Sequence, residues 1–596
     1  MEVARDLCDQ GQLTGFDPYF AGGQVGGINL NASAKIPALL GCLAGSRAAL
    51  PAIYKQVSFW SGVAAPAALT LACVLLRLSH WTTALAALWS IILWWTGPMR
   101  WYHTAGMTSY VLGAFAGLPL ALAAVRACVN PTIWRLAAVA VAAALGMFLH
   151  PLFLLGVALA GLPYLVSQLQ DDRRLLRTLA SVALLLALVL VINGFWIWQT
   201  MVASSYAYGE QPYQRAVEPF LAIKEMLQVA PTAAKGSRLY IVFFVGTVVC
   251  LVTRWTPYRR AMLALASGGA LLMAWASVSA MVGPLGALQP NRFSAMAWLC
   301  LVLPGAEGLR CALAKARLGD ARQRWASTAL IISGLAITLF YAKELVAEIF
   351  MDSGRKYGIA RPEVKGQPPF SKQMVAYLKN KTDHRARIYF ELSLGRKHDG
   401  GHMAALYAWE ADREFIGGPY PYVGFANAWD DSAFGRPLVN YSSGELINLL
   451  DNYNVGWMIC HSDACKATMS KLEGVLLDEA FGPVTAYRRL SVPGFVAQGQ
   501  AEIIDRCVNR IAVRAQSSES VVLRYHWVAG LRSFPAAIVE PVAGLPGDRP
   551  NILIRNPPAS FVLSVGRHAA PTCGSPAERA TTIDRAKQAE PKQAKQ

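Results

Sequence analysis

Apolar residues fill the first 345 positions in long runs broken by short polar loops, and beyond residue 346 they thin into alternating or helically spaced patterns. A bilayer core about 30 Å thick is crossed by about 20 apolar residues in a helix. The pattern therefore predicts about ten transmembrane helices, near 57–77, 82–97, 107–125, 133–149, 151–168, 175–198, 238–254, 260–283, 293–310 and 326–345. Two of these runs are short. The fourth and fifth meet at His150-Pro151, which reads as a tight turn between two helices.

Past residue 352 the period changes. SKQMVAYLKNKT, SSGELINLLDNY and DACKATMSKLEGV have helical spacing, whereas ARIYFELS, VGWMICHS and VTAYRRL read as strands. Alternation of this kind over 352–490 predicts a small α/β layer. Over 491–573, RIAVRAQ, SVVLRYHWVA, NILIRN and SFVLSVG alternate apolar and polar residues between turn signals, which predicts a β-sandwich-like module. Residues 574–596 are Ala, Lys, Gln, Glu and Pro without aromatics and are predicted to be disordered. The expected fold class is an α-helical polytopic membrane protein (57–345) behind a first external loop (1–56), followed by a soluble α/β plus β-sandwich-like domain.

Charge gives this plan a direction. Only 15% of the 596 residues are charged, against about 25% in soluble domains. The net charge of +18 would suit nucleic acid, yet no nucleic-acid-binding motif accompanies it. Instead, basic residues crowd every second loop: Arg126 and Arg135; Arg173, Arg174 and Arg177; Arg254, Arg259 and Arg260; then Arg310, Lys315, Arg317, Arg322 and Arg324. The positive-inside rule puts those loops in the cytoplasm and the loops near 98–106, 199–237 and 284–292 outside. By parity, residues 1–56 and 346–596 also lie outside, in a cell membrane of the inner-membrane type. An external N-terminus with neither a signal peptide nor a preceding helix leads to the expectation that a first helix is missing from the sequence. Of eleven cysteines, Cys460 and Cys465 are close enough to form a disulfide in an oxidising compartment, with free thiols as the alternative; their spacing fits no zinc pattern.

The leading stretch ARDLCDQGQLTGFDPYFAGGQVGGINLNAS combines acids, aromatics and glycines; its GGQVGG lacks the strand–helix context of a dinucleotide fingerprint. Together with FLHPLFLLG, QPNRF and the ordered run RIYFELS…GHMAALYAW…REFIGGPYPY…YNVGWMI, this stretch resembles the GT-C superfamily of integral-membrane glycosyltransferases. The similarity is to bacterial membrane proteins labelled 6-pyruvoyl-tetrahydropterin-synthase-related, a name implying no pterin chemistry here, and to arabinofuranosyltransferase-like members. The resemblance implies a polyprenyl-phosphate sugar as donor, a glycan, lipid or protein acceptor, and an acid of the first external loop as general base. The family acid falls a few residues before VARDL, which places it upstream of Met1; Asp6 and Asp17 are the acids present. Asp17, in FDPYF, is equally a turn residue before Pro18.

The candidate groups for the donor phosphate are Arg292 of QPNRF, His150, and Arg100 and His103 of GPMRWYHTAG. Arginine offers bidentate hydrogen bonds to phosphate; the plainer alternatives are a snorkelling interfacial arginine and helix-packing histidines. Tyr206, Tyr208, Glu210 and Arg215 lie in the longest internal external loop, and Tyr420, Tyr422, Trp429 and Trp527 are candidates for stacking on sugar rings or for burial in the outer domain. No cofactor is assigned and divalent-metal dependence is left open. Two rival readings stand beside the transferase: a non-catalytic envelope-assembly protein, and a transporter, against which the absence of an internal repeat or of paired broken helices counts.

Overall fold

The computed structural model describes residues 2–27, 35–43, 50–95, 97–104, 106–169, 172–203, 237–253, 256–279, 292–346, 369–392, 404–417, 425–426, 428–516, 519–546 and 548–574. The chain opens with helix α1 (Glu2–Asp9), a hairpin of β1 (Thr14–Asp17) and β2 (Gln24–Gly27), and helix α2 (Lys35–Leu43). The apolar bundle follows: α3 (Leu50–Leu75), α4 (His80–Trp95), α5 (Gly97–Thr104), α6 (Thr108–Val129), α7 (Ile133–Leu149), α8 (Phe153–Gln168), α9 (Asp172–Ala203), α10 (Ser237–Val252), α11 (Arg259–Val278), α12 (Phe293–Leu318) and α13 (Ala321–Val346).

Every one of the ten predicted apolar runs is a helix. Six are long and apolar enough to cross a membrane by length and composition: Ala52–Leu75, Thr108–Val129, Leu175–Val202, Arg259–Val278, Phe293–Leu318 and Ala321–Lys343. The count of six is of the described residues, and shorter apolar helices stand beside them. Helices α4, α7, α8 and α10 have 16 or 17 residues, at the short end of the roughly 17–25 that cross a hydrocarbon core. His150 caps α7 in an extended conformation, its N–H bonded to the Gly146 carbonyl, and α8 begins three residues later, so the predicted turn is present. Small residues let helices approach where apolar side chains have no hydrophobic incentive to separate from lipid. A Cβ on Gly308 of α12 would collide with the Gly246 carbonyl oxygen of α10.

The C-terminal part is rich in sheet. It comprises α14 (Pro369–Lys381), β3 (Arg387–Phe390), α15 (Ala404–Ala411), β4 (Phe415–Ile416), the short strands β5 (Ala428–Trp429), β6 (Ser432–Ala433) and β7 (Arg436–Pro437), α16 (Ser443–Asn452), β8 (Val455–Cys460), α17 (Asp463–Met469), β9 (Val475–Phe481) and β10 (Val484–Arg489). Strand order in the five-stranded sheet is β4-β3-β8-β10-β9, with β3 parallel to both of its neighbours and β10 antiparallel to both of its own. Ser442 and Glu445 start α16 with a reciprocal capping box.

Next come β11 (Val496–Gln498), β12 (Ala501–Cys507), β13 (Arg510–Ala515), β14 (Ser520–His526), β15 (Leu531–Phe534), β16 (Ile538–Val542), β17 (Asn551–Arg555) and β18 (Ser560–Val565). They form two antiparallel sheets, β11-β14-β17-β16 and β12-β13-β18-β15. Both sheets feed one core, with Ile511, Val513, Leu523, Ile552, Phe561 and Leu563 buried together. The predicted tail, 574–596, lies outside the described residues apart from Gly574.

The N-terminal segment is folded into both halves of this sheet-rich region. Phe16 is buried in the core of the two antiparallel sheets, 6.2 Å ring to ring from Tyr525. The Asn509 N–H donates to the Phe16 carbonyl at 2.6 Å and the His526 N–H to the Gly22 carbonyl at 2.7 Å. At the hairpin tip, Phe415 N–H donates to the Tyr19 carbonyl at 2.7 Å and Ala21 N–H to the Phe415 carbonyl at 2.9 Å. The tip thus continues the five-stranded sheet past its β4 edge, covering backbone groups that an edge leaves unpaired.

Candidate functional site

Four polar groups converge at the end of the bundle nearest the sheets. Arg292 precedes α12, and its guanidinium lies 5.8 Å from the Tyr110 ring of α6. The Tyr110 hydroxyl donates to the Arg292 carbonyl and so fixes the entry to the helix. His150, 2% exposed, places Nε2 3.5 Å from an Arg292 guanidinium nitrogen. On its other side, Nδ1 accepts the Leu152 N–H at 3.3 Å. That bond assigns the proton of a neutral imidazole to Nε2. In that tautomer the Nε2–H and the Arg292 guanidinium both present donors to the pocket; in the other, Nε2 accepts from Arg292. The pocket beside them, 20 Å³ and lined by Tyr110, Gly113, His150, Phe153, Arg292 and Met296, admits one oxygen-sized group.

The fourth group is Lys35, which sequence reasoning missed. It opens α2 and is 1% exposed. Its ammonium sits 4.0 Å from the Trp196 ring centroid of α9 and 4.8 Å from that of Phe148, two residues before His150. Among the described residues no carboxylate pairs with any of these groups. Burying a cation against two ring faces recovers part of its hydration through cation–π attraction; the remainder calls for an anion.

The remaining candidates are placed elsewhere. His103 of α5 is stacked on Trp94 at 4.9 Å and bonded at 2.8 Å to the Trp94 carbonyl, so it joins α5 to α4 rather than to Arg292. Arg100 lies on the same short helix and is partly buried. Asp17, 4% exposed, closes β1: its Oδ1 accepts the Tyr19 N–H at 3.0 Å and its Oδ2 a Gln24 amide hydrogen at 3.5 Å. Burial pushes its carboxyl up to about 6, with Glu414 and Asp6 adding to the rise. Asp6 lies on α1 near it, and Asp17 belongs to the seam between hairpin and sheets, not to the Arg292 pocket. Trp527 packs against the core of the two antiparallel sheets. Tyr206, Tyr208, Glu210, Arg215, Tyr420, Tyr422 and the Trp429 side chain lie outside the described residues, as do Gln289, Pro290 and Asn291 of QPNRF.

The chain is similar to ArnT. The crystal structure of ArnT from Cupriavidus metallidurans bound to undecaprenyl phosphate superimposes with a TM-score of 0.46 at 13% identity, covering 82% of this chain and 92% of ArnT. For apo ArnT the TM-score is 0.47 at 13% identity, with 82% and 91% covered. No protein-family model and no curated protein matches the chain.

Two further ionisable clusters lie apart from these groups. Glu307 of α12 is fully buried and accepts from Thr82 Oγ1 and Thr256 Oγ1, both at 2.7 Å, and from Arg310 at 2.7 and 3.0 Å. In the sheet region, Glu391, Cys460 and Cys465 bring ligand-type atoms together. Those two sulfurs form a disulfide, and the carboxylate accepts from the N–H groups of Asp431, His461 and Ser462 at 2.6–2.9 Å, so its oxygens are committed to the protein.

Proposed function

We propose that the chain is a membrane glycosyltransferase that moves a sugar from a polyprenyl-phosphate donor to a glycan, lipid or protein acceptor on the non-cytoplasmic face. The observation carrying this reading is the cluster of buried Lys35 and His150 with partly buried Arg292, which among the described residues has no carboxylate partner. A phosphate diester presents anionic oxygens that fit between the Arg292 guanidinium and the His150 Nε2–H. The same groups stabilise the charge that grows on the phosphate as it leaves. The acceptor oxygen attacks the anomeric carbon, the bond from that carbon to the phosphate oxygen breaks with its electron pair, and the hydroxyl proton passes to a carboxylate. The acids proposed for that base are Asp17 and Asp6 of the leading segment, although Asp17 is held in the hairpin seam and outside the Arg292 pocket; its carboxyl, raised to about 6, is suited to proton transfer near neutral pH. Arg100 and His103, through α5, are proposed to brace the helices that form the phosphate pocket.

Cysteine chemistry supports the sidedness. The six cysteines outside the apolar helices are all paired: Cys8–Cys42, Cys460–Cys465 and Cys507–Cys573. The five within those helices, Cys73, Cys128, Cys250, Cys300 and Cys311, are free and buried. Pairing of this kind belongs to an oxidising compartment, so the N-terminal segment and the sheet-rich region are read as sharing the outer face.

One observation favours a second reading, a non-catalytic envelope-assembly protein that retains the lipid site. Asp17 is committed to the hairpin seam. Transfer of labelled sugar from polyprenyl-phosphate donors by the full-length protein in nanodiscs separates the two. Under the transferase reading Arg292→Ala loses both undecaprenyl phosphate binding and transfer, whereas Asp17→Asn keeps binding and loses transfer by about a hundredfold or more. Full transfer by Asp17→Asn removes Asp17 as the base. Wild-type protein that binds the lipid phosphate yet transfers from no donor supports the second reading, and failure to bind it rejects both.

A further inference from the structure

Lys35 is held in place from outside the bundle. Helix α2 has only nine residues, too few to persist in water by its own hydrogen bonds, so tertiary ties must fix it. Those ties come from α1. Cys8, in the last turn of α1, is disulfide-bonded to Cys42, in the last turn of α2. Arg5 of α1 donates to the Gly41 and Cys42 carbonyls at 3.1 and 3.4 Å, satisfying acceptors that the end of α2 leaves open. Ala4 and Ala38 form a small buried cluster with both cysteines, and the fifth member is Phe148, the ring beneath the Lys35 ammonium. The disulfide, the Phe148 ring and the cation are therefore successive layers of one packing unit, and His150 follows Phe148 by two residues.

We propose that the Cys8–Cys42 disulfide is the positioning device of the anion site: it clamps α2 across the ends of α7 and α9 and thereby seats the Lys35 ammonium beside His150 and Arg292. The inference rests on the reading of those groups as a lipid-phosphate site. Lys35 touches the phosphate, and the disulfide acts only through Lys35. Cutting the bond leaves the bundle in place, lets α2 fray, and lowers phosphate affinity by as much as removing the lysine does.

The test is a mutant cycle on full-length protein in nanodiscs, with undecaprenyl phosphate as probe and thermal unfolding measured alongside. Lys35→Ala is expected to weaken binding about tenfold, as loss of one charge-assisted contact does, and Lys35→Arg to restore most of it. The double substitution Cys8→Ala/Cys42→Ala is expected to weaken binding by a similar factor, and by nothing further in the Lys35→Ala background. Cys507→Ala/Cys573→Ala, remote from α2, is expected to keep wild-type affinity. If Lys35→Ala binds like wild type, the phosphate-site reading itself fails at Lys35. If Lys35→Ala is weak but Cys8→Ala/Cys42→Ala is not, or if the two losses multiply, the positioning role is overturned and the site survives. Should the cysteine-free pair not fold, Arg5→Met carries the same test: a smaller loss that vanishes once Lys35 is gone supports the proposal, and one that persists overturns it.

Discussion

Helix α12 carries two ionic clusters, one at its start and one near its middle, and the two are built in opposite ways. Near the middle, Glu307 is enclosed by two threonine hydroxyls and the Arg310 guanidinium, every carboxylate oxygen accepting at 2.7–3.0 Å. At its start, Arg292 faces His150 and the Tyr110 ring, and the buried Lys35 lies over Phe148 and Trp196. About fifteen residues of helix, roughly 22 Å, separate the two. In apolar surroundings a charge is tolerated when its partners are built in, or when a ligand supplies them. The Glu307 cluster is saturated and joins α4, the segment before α11, and α12. The Arg292 cluster has no carboxylate partner among the described residues, and under the proposed function an anionic ligand completes it.

Breaking that contrast should affect stability at one cluster and ligand affinity at the other. The largest effect is expected at Glu307: Glu307→Ala strands the Arg310 charge and two buried hydroxyls, at about 3–5 kcal/mol. A large fall in the thermal midpoint, with unchanged undecaprenyl phosphate affinity in the protein that stays folded, would fit; a selective affinity loss would not. Arg292→Ala should do the reverse, losing about a hundredfold in binding or transfer with a midpoint close to wild type. His150→Phe, which keeps the ring against Tyr110 and removes the Nε2 donor, should cost about tenfold in affinity; wild-type affinity would mean that the histidine only packs.

The smallest effect concerns the hairpin seam. Because the Asp17 pKa is raised to about 6 from 3.8, the folded protein binds the extra proton between those values. Asp17 therefore costs stability above pH 6, and that cost fades as pH falls toward 3.8. Asp17→Asn should raise the unfolding free energy at pH 7.5 by on the order of 1 kcal/mol and at most about 3, and have no such effect near pH 4. A difference constant across that range would mean that the carboxyl titrates normally.

The hairpin also marks where sequence reasoning stopped. FDPYF pointed to a turn, and the Asp17–Tyr19 bond is that turn, but nothing in the local pattern announces that Phe16 enters one sheet core while Tyr19 and Ala21 extend another sheet. Edge strand β9 (Val475–Phe481) and helix α15 (Ala404–Ala411) also escaped notice: the strand's exposed Leu476 and Leu477 break its alternation, and eight residues give a helix little period to read. His150 and Arg292 were legible one at a time, as polar residues beside apolar runs. Lys35 was not, because KIPALLGCL looks like any short interfacial stretch.

What the sequence determined by itself was the division of the chain: apolar runs that must be helices because lipid leaves backbone groups no other partners, then periods of two and of 3.6 that must become sheets with helices. It also bounded the chemistry, since no motif for nucleic acid, dinucleotide or zinc is present. Only the tertiary structure decided which polar groups come together. Residues 35, 150 and 292 lie on separate elements, and their convergence depends on how α2, α7 and α12 pack, on a disulfide thirty-four residues long in sequence, and on two aromatic rings. Local pattern fixes what each segment becomes, because backbone hydrogen bonding and burial act over a few residues. Which distant charges are left without a partner is a property of the assembled fold.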